Sequence, residues 1–294
     1  MAATDSGSTI PRRQLGRHLR QLREEAGLTV QQAADALEWS TPRIWRVEKG
    51  AVAMRSFDVR NMCQIYGAPE PITQALVGLA KETKAKGWWH SYGEVVPDWF
   101  ELFVGLEAAA GRIRNYEPEM IPGLLQTRAY AEELHRVEQP TLPEDDVQRS
   151  VAVRLQRQKV LTRPVQAPRY EVVVGEAALR RSLADRDAMA EQLRHLVEVG
   201  KRRNVSIRVL LIRAGLHRAL TCGAFAILDF PSGPGGRTPE PTTVYSDSLT
   251  GALYLDKPHE VAAYSDVWNS IVATALGEDE STKLIHEYCE RHLR

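Results

Sequence analysis

The sequence predicts a multi-domain protein, in which an all-α helix-turn-helix domain of about five helices precedes an α+β domain. The length of 294 residues fits about two domains. Apolar stripes at helical spacing, most of them closed by a glycine, follow one another from residue 12 to about residue 84. From residue 169 onward, valine-rich runs typical of strands appear between helical segments. This arrangement favours an α+β fold for the second half.

Composition and charge exclude several classes of protein. Hydrophobic residues make up 43% and charged residues 26%, as in ordinary globular proteins, and the formal net charge of +0 indicates no partner. The three cysteines are too far apart for a disulfide framework or a zinc ribbon. No apolar run approaches the roughly 20 residues of a membrane helix. Residues 1–11 read as a disordered arm without a signal-peptide pattern, so we expect a cytoplasmic protein.

The first domain, residues 12–84, is predicted to contain helices that begin near residues 12, 30, 41, 57 and 71. Thr29, Ser40 and Ser56 are the predicted N-caps, because their hydroxyls can accept from the free N–H groups at a helix start. Gly27, Gly50 and Gly67 are the predicted stops. The first helix also carries arginines without any acid, which form either a solvated face or phosphate contacts: Arg12, Arg13, Arg17, Arg20 and Arg23.

The stretch "LTVQQAADALEWSTPRIWRVEKG" (28–50) has the properties of a DNA-reading helix-turn-helix. Ala34 is the small residue that lets two helices cross closely, and Leu37 and Ile44 are the apolar partners between them. "EWS" forms the turn. Pro42 is compatible with the helix 41–49 because it falls in the first turn, where an N–H has no partner within the helix. Polar and basic residues then face outward: Thr41, Arg43 and Arg46.

The second domain, residues 85–294, is predicted to alternate helices with five strands. An aromatic segment (87–100) precedes the first helix, and the loop 231–241 joins two strands. The predicted helices are 102–113, 123–136, 144–162, 176–183, 185–200, 258–275 and 279–292, and the predicted strands are 169–175, 205–212, 223–230, 242–246 and 252–255.

No constellation of residues indicates catalysis, so we expect no enzyme. His217 and Cys222 lie five residues apart but lack an orienting group, and a buried strand cysteine is the commoner case. The eight histidines have no metal-ligand spacing, and "PSGPGG" lacks the lysine and the strand-to-helix context of a phosphate loop. We therefore expect neither a metal nor a cofactor.

The stretch 28–50 resembles the Xre/lambda-repressor-like helix-turn-helix family. That resemblance implies phosphate contacts around Val30 and base reading from the start of the helix after the turn. The residues at which we expect DNA contacts are Gln31, Gln32, Ser40, Thr41, Pro42, Arg43, Arg46 and Lys49. Two residues depart from the family pattern. Glu38 stands where glycine is common, since the turn tends to need a positive φ, and Trp45 stands where a small polar residue is usual. Trp45 either packs on a neighbouring helix or contacts the DNA.

Longer runs, above all "YEPEMIPGLLQTRAYA" (116–131), resemble a large family of actinobacterial regulators with a C-terminal domain of unknown function. The resemblance implies a transcription factor, usually a repressor, that is linked to development or secondary metabolism and controlled by a small partner protein encoded nearby. The partner or ligand surface is predicted at Trp88, Trp89, Tyr116, Gln126, Tyr130 and His217.

The predicted nucleic-acid partner is a double-stranded DNA operator, and half-sites about one helical turn apart imply a homodimer. Two alternatives stay open. An antitoxin-like protein would mainly bind the product of a neighbouring gene and would contact DNA only for autoregulation. An enzyme fused to a DNA-binding domain would need a deep pocket around His217 and Cys222.

Overall fold

A computed structural model describes residues 9–82, 98–231, 240–249 and 251–292. Contacts within the chain divide it into two compact units, Met1–Ser91 and Tyr92–Arg294. The domain boundary that the sequence places between residues 84 and 85 lies outside the described residues, as does most of the predicted arm. No helix within these ranges is long and apolar enough to cross a membrane.

In the N-terminal unit, residues 9–82 form five helices around one apolar core. They are α1 (Thr9–Glu25), α2 (Val30–Leu37), α3 (Thr41–Glu48), α4 (Ser56–Ile65) and α5 (Glu70–Glu82). The inward positions predicted for α2 and α3 are buried. Gly27, Gly50 and Gly67 each lie two residues after the end of a helix and have a φ of +69°. A glycine adopts this left-handed backbone without steric cost, which explains why the three helices stop there.

Three boundaries differ from the sequence prediction. Helix α1 begins at Thr9 rather than near Arg12, and Pro11 fits because it lies in the first turn. Ser56 is already helical, so the extended residue before it, Arg55, is the N-cap and no side chain caps the helix. Helix α3 ends at Glu48, one residue earlier than predicted. Element ends depend on single hydrogen bonds, which composition alone does not determine.

The C-terminal unit is a six-stranded mixed sheet with seven α-helices among its described residues. The strands are β1 (Arg112–Glu117), β2 (Arg169–Gly175), β3 (Val205–Leu210), β4 (Phe225–Asp229), β5 (Thr243–Ser248) and β6 (Gly251–Leu255). The helices are α6 (Asp98–Ala109), α7 (Arg128–Glu138), α8 (Glu144–Gln158), α9 (Glu176–Arg180), α10 (Arg186–Gly200), α11 (Pro258–Thr274) and α12 (Glu278–His292). The α+β prediction for this domain is confirmed.

Strand order in the sheet is β3-β2-β1-β4-β5-β6, with β1 in the interior. It pairs parallel with β2 and antiparallel with β4. The sequence prediction was wrong here, because it continued the helix of α6 to Ile113. Helix α6 ends at Ala109, and residues 112–117 form a strand because both of their backbone edges find partners far away in the chain. Such long-range pairing overrides local preference.

The two faces of the sheet are covered differently. On one face, Tyr116, Val173 and Val244 pack with Trp268 and Ile271 of α11. On the other face, α6 and α8 are joined by an ion pair in which the Arg157 guanidinium donates twice to the Glu107 carboxylate, at 2.9 and 2.8 Å. Both side chains are less than a tenth exposed. A bidentate pair of this kind fixes two helices in register above the sheet.

We expect Glu107→Gln to lower the free energy of unfolding of the C-terminal unit by about 3–5 kcal/mol, because it leaves the buried Arg157 charge without its partner. The matched change Glu198→Gln removes an exposed pair with Lys201 and should cost less than about 1 kcal/mol. Hydrogen exchange of β2 and α8 peptides in rising urea measures both. Equal losses for the two variants would contradict the role of the buried pair.

Candidate nucleic-acid interface

The turn between α2 and α3 depends on one residue in the left-handed region. Glu38 has φ 57° and ψ 37°, as the comparison with glycine at this position predicted. The Trp39 N–H donates to the Ala34 carbonyl at 2.9 Å, and the Glu38 N–H donates to Asp35 at 3.2 Å. These bonds close the end of α2 in the manner of a Schellman motif and direct the chain into α3.

The start of α2 is held by the predicted cap. The Thr29 hydroxyl accepts from the Gln32 N–H at 3.2 Å, and the Gln32 side-chain oxygen accepts from the Thr29 N–H at 2.9 Å. Gln31 accepts from the Thr41 hydroxyl at 3.0 Å and donates to Asp35 at 2.8 Å. Both glutamines are exposed, and the Gln31–Thr41 bond joins the first turns of α2 and α3.

Helix α3 lies very close to α1, and glycines make this approach possible. A Cβ atom at Gly16 would lie 2.5 Å from the carbonyl oxygen of Val47. A Cβ atom at Gly50 would lie 2.7 Å from the Cα of Arg13. Both distances are shorter than atoms tolerate, so neither position accepts a larger residue without moving α3. An isolated glycine inside the apolar pattern of the first helix is the sequence signal for this contact.

A buried ion pair completes the attachment of α3. Arg23 donates to both carboxylate oxygens of Glu48, at 2.6 and 3.0 Å, and to the carbonyl of Leu28 at 2.8 Å. Both side chains are 8% exposed. The Glu48 hydrogen bond raises the pKa of Arg23 above its ordinary value. Arg13 of the same helix is also buried. Neither Arg13 nor Arg23 therefore belongs to a solvated face or is exposed for a phosphate contact, the two alternatives predicted for the arginines of this helix.

The face of α3 that points away from this core carries polar and basic residues. Ile44 and Val47 are buried, whereas Ser40, Pro42, Arg46 and Lys49 are exposed and Thr41 is half-buried. Ser40 is the N-cap residue by its extended backbone, and its side chain makes no capping bond. The Trp45 side chain is 54% exposed, so more than half of its surface is not packed on a neighbouring helix. The Lys49 ammonium lies 5.8 Å from the centre of the Trp45 ring.

Arg43 differs from Arg46 because the domain itself holds it. Its guanidinium lies 3.6 Å from the centre of the Trp39 ring and 3.3 Å from the Asp58 carboxylate. Cation–π stacking and the ion pair together orient this side chain before any ligand binds. Asp58 could not be predicted as the partner of Arg43 from the sequence, because it lies fifteen residues away in α4.

Of the residues predicted as a partner or ligand surface, the four that the structure describes do not form one surface. Trp88 and Trp89 lie outside the described residues. Tyr116 is buried, with the His217 ring 6.4 Å away in an edge-to-face arrangement. Gln126 and Tyr130 are also buried, and both bond to the backbone of Ile121. Tyr116 contributes to the core of one face of the sheet, while Gln126 lies above the other face.

His217 and Cys222 show no nucleophile–base arrangement. The Cys222 thiol donates to the Ala219 carbonyl at 3.3 Å, and burial raises the pKa of this thiol above its ordinary value. A thiol in this state is a weak nucleophile. Among the described residues, no group of three His, Cys, Asp or Glu side chains is placed to hold a metal ion.

The geometry of α2, the left-handed turn and α3 defines a helix-turn-helix protein of the DNA-binding regulator class. Comparison with protein families agrees, because a helix-turn-helix domain matches residues 14–76. The domain of unknown function DUF5753 matches residues 100–287, well over half of the chain. The protein therefore belongs to the DUF5753 family and carries a helix-turn-helix domain at its N-terminus. Neither a curated protein nor a solved structure gives a significant match.

We expect Glu38→Gly to raise the free energy of unfolding of the N-terminal unit by up to about 1 kcal/mol, because glycine removes the strain of the left-handed backbone. Ala36→Gly, two residues earlier in α2, is the matched control and should lower that free energy by about 0.5–1 kcal/mol. Urea titration followed by hydrogen exchange of the α2 amides measures both changes. A loss of stability in Glu38→Gly as large as in the control would contradict this account of the turn.

Proposed function

We propose that the protein is a sequence-specific transcriptional repressor that places α3 in the major groove of its operator. The observation that carries the proposal is the division of α3 into two faces. Its inner face is fixed by Gly16 and by the Arg23–Glu48 pair, and its outer face presents polar and basic side chains from the first turn onward. In helix-turn-helix proteins, the residues that contact base edges lie on the exposed face near the N-terminus of the second helix.

Arg46 is the main base-reading residue in this proposal, because it is exposed and stands on the outer face of α3. An arginine in the major groove binds guanine O6 and N7 with two hydrogen bonds. Arg43 and Thr41 are held in place by Trp39 and Gln31. In this proposal they contact the DNA beside Arg46 with side chains that are already oriented. Gln31, Gln32 and Lys49 are exposed on the same motif and would contact phosphates.

The proposal also includes a homodimer on two half-sites in the cytoplasm, no enzymatic activity, and control by a small partner protein that binds the C-terminal unit. Exposed apolar side chains on the connection between β3 and β4 support a protein contact there, and Leu216 is 95% exposed. Ile212 and Leu220 on the same connection are also more than half exposed. Apolar residues grouped at a surface in this way are typical of interaction sites.

We expect Arg46→Ala to weaken binding to the selected operator by about 1–3 kcal/mol and to relax preference at one base pair in each half-site. Selection from random duplexes gives the operator, and fluorescence anisotropy at fixed salt gives both affinities. Arg60→Ala is the matched control, because Arg60 is an exposed arginine of α4 that is paired with Glu70 and is not among the predicted DNA contacts. Wild-type affinity for the operator in Arg46→Ala would overturn the assignment of the base-reading residue.

A further inference from the structure

A cavity of about 130 Å³ lies in the C-terminal unit, on the face of the sheet opposite α11. Strands β1, β4 and β5 form its floor, and α6, α8 and the turn at Gly123–Leu125 form its roof. Met120 and Glu138 are exposed and mark its mouth. An apolar cavity of about 150 Å³ accommodates benzene, so this one has room for a ligand of about that size.

Small residues on an interior strand create the space. Ala226 of β4 is paired with Asn115 on one side and with Tyr245 on the other. Continuing the same registers places Ala224 between Glu117 and Asp247. Neighbouring strands are about 4.8 Å apart, so the larger side chains stand about 10 Å from each other across the alanines. The alternation "GAFAILDF" (223–230) therefore leaves a gap in an otherwise filled layer.

One side of the cavity carries an arginine without a carboxylate in contact. Arg154 of α8 donates to the Gln126 side-chain oxygen at 2.6 Å, and no carboxylate among the described residues lies within 4.0 Å of its guanidinium. Burial lowers the pKa of Arg154 to about 10, although the charge of Glu138 at the mouth opposes the shift. The neighbouring Arg157 is neutralised by Glu107, so Arg154 is the cation that remains to attract a ligand.

The other side of the cavity carries carboxylates. Glu117 and Asp247 both line it, and the Tyr245 hydroxyl donates to Asp247 at 3.1 Å. Burial, and after it the negative charge of Asp247, raises the pKa of Glu117 to about 8. Two carboxylates that face one small space repel each other, and a bound cation would relieve that repulsion. Phe100, Phe103 and Tyr170 supply aromatic surface between the two sides.

We propose that this cavity binds a free α-amino acid, with the ligand carboxylate on Arg154 and its ammonium group between Glu117 and Asp247. A ligand with only a negative charge would be repelled by the two carboxylates, and a ligand with only a positive charge would be repelled by Arg154. A zwitterion satisfies both sides, and its side chain occupies the aromatic part of the cavity. The proposal concerns the C-terminal unit alone and does not depend on DNA binding by α3.

The test uses the full chain and the standard α-amino acids, screened one by one by thermal shift, with calorimetric titration of those that raise the melting temperature. We expect at least one to bind. Its amine analogue without the carboxylate, and its acid analogue without the amine, should each bind about tenfold or more weakly, since each lacks one charge-assisted contact. If no amino acid binds, or if either analogue binds as tightly, the proposal is overturned.

Variants then locate the site. Glu117→Gln keeps the shape of the side chain, Arg154→Gln removes the guanidinium, and Ala226→Leu fills the floor of the cavity. Each should weaken binding at least tenfold, whereas Arg149→Gln, an exposed arginine of the same helix, should leave it unchanged. Circular dichroism verifies folding. Should Arg154→Gln fail to fold, Glu117→Gln decides, and unaltered affinity in Glu117→Gln would contradict the assignment.

Discussion

The close attachment of α3 to α1 is the constraint on which the DNA-binding surface depends. Backbone meets backbone at Gly16 and Gly50, and the Arg23–Glu48 pair fixes the end of α3 to the end of α1. A buried pair of this kind adds little net stability, yet losing one partner is costly, so it acts mainly to specify one position for the helix. With its inner face fixed in this way, α3 presents its outer side chains in one fixed arrangement.

The C-terminal unit uses buried charge differently. Arg157 and Glu107 neutralise each other and fix α6 on α8, whereas neither Arg154 nor Glu117 of the same layer forms an ion pair with any residue that the structure describes. Buried ionisable groups without a partner lower stability, and such groups are more frequent at functional sites than in the rest of a protein. Ala226 of β4 and Ala224 just before it leave room for the proposed ligand.

Local signals allowed much of the fold to be predicted from the sequence. The Thr29 cap, the left-handed Glu38 and strand β2 are all confirmed, because each depends on residues within a few positions of one another. Strand β1 was missed, because the strand partners of Arg112 are 57 and 117 residues away in the chain. The partners of Arg23 and Arg43 were missed for the same reason. The cavity could not be predicted, because its lining residues are distant in the chain and come together only when β4 pairs between β1 and β5.

Methylation interference on the selected operator tests the central claim most directly, that α3 reads the major groove. Methyl groups on guanine N7 project into the major groove, and those on adenine N3 project into the minor groove. If α3 lies in the major groove, N7 methylation at one or more guanines in each half-site should block binding, and Arg46→Ala should remove the block at one of them. Interference confined to adenine N3, or no interference from N7 methylation, would contradict the account.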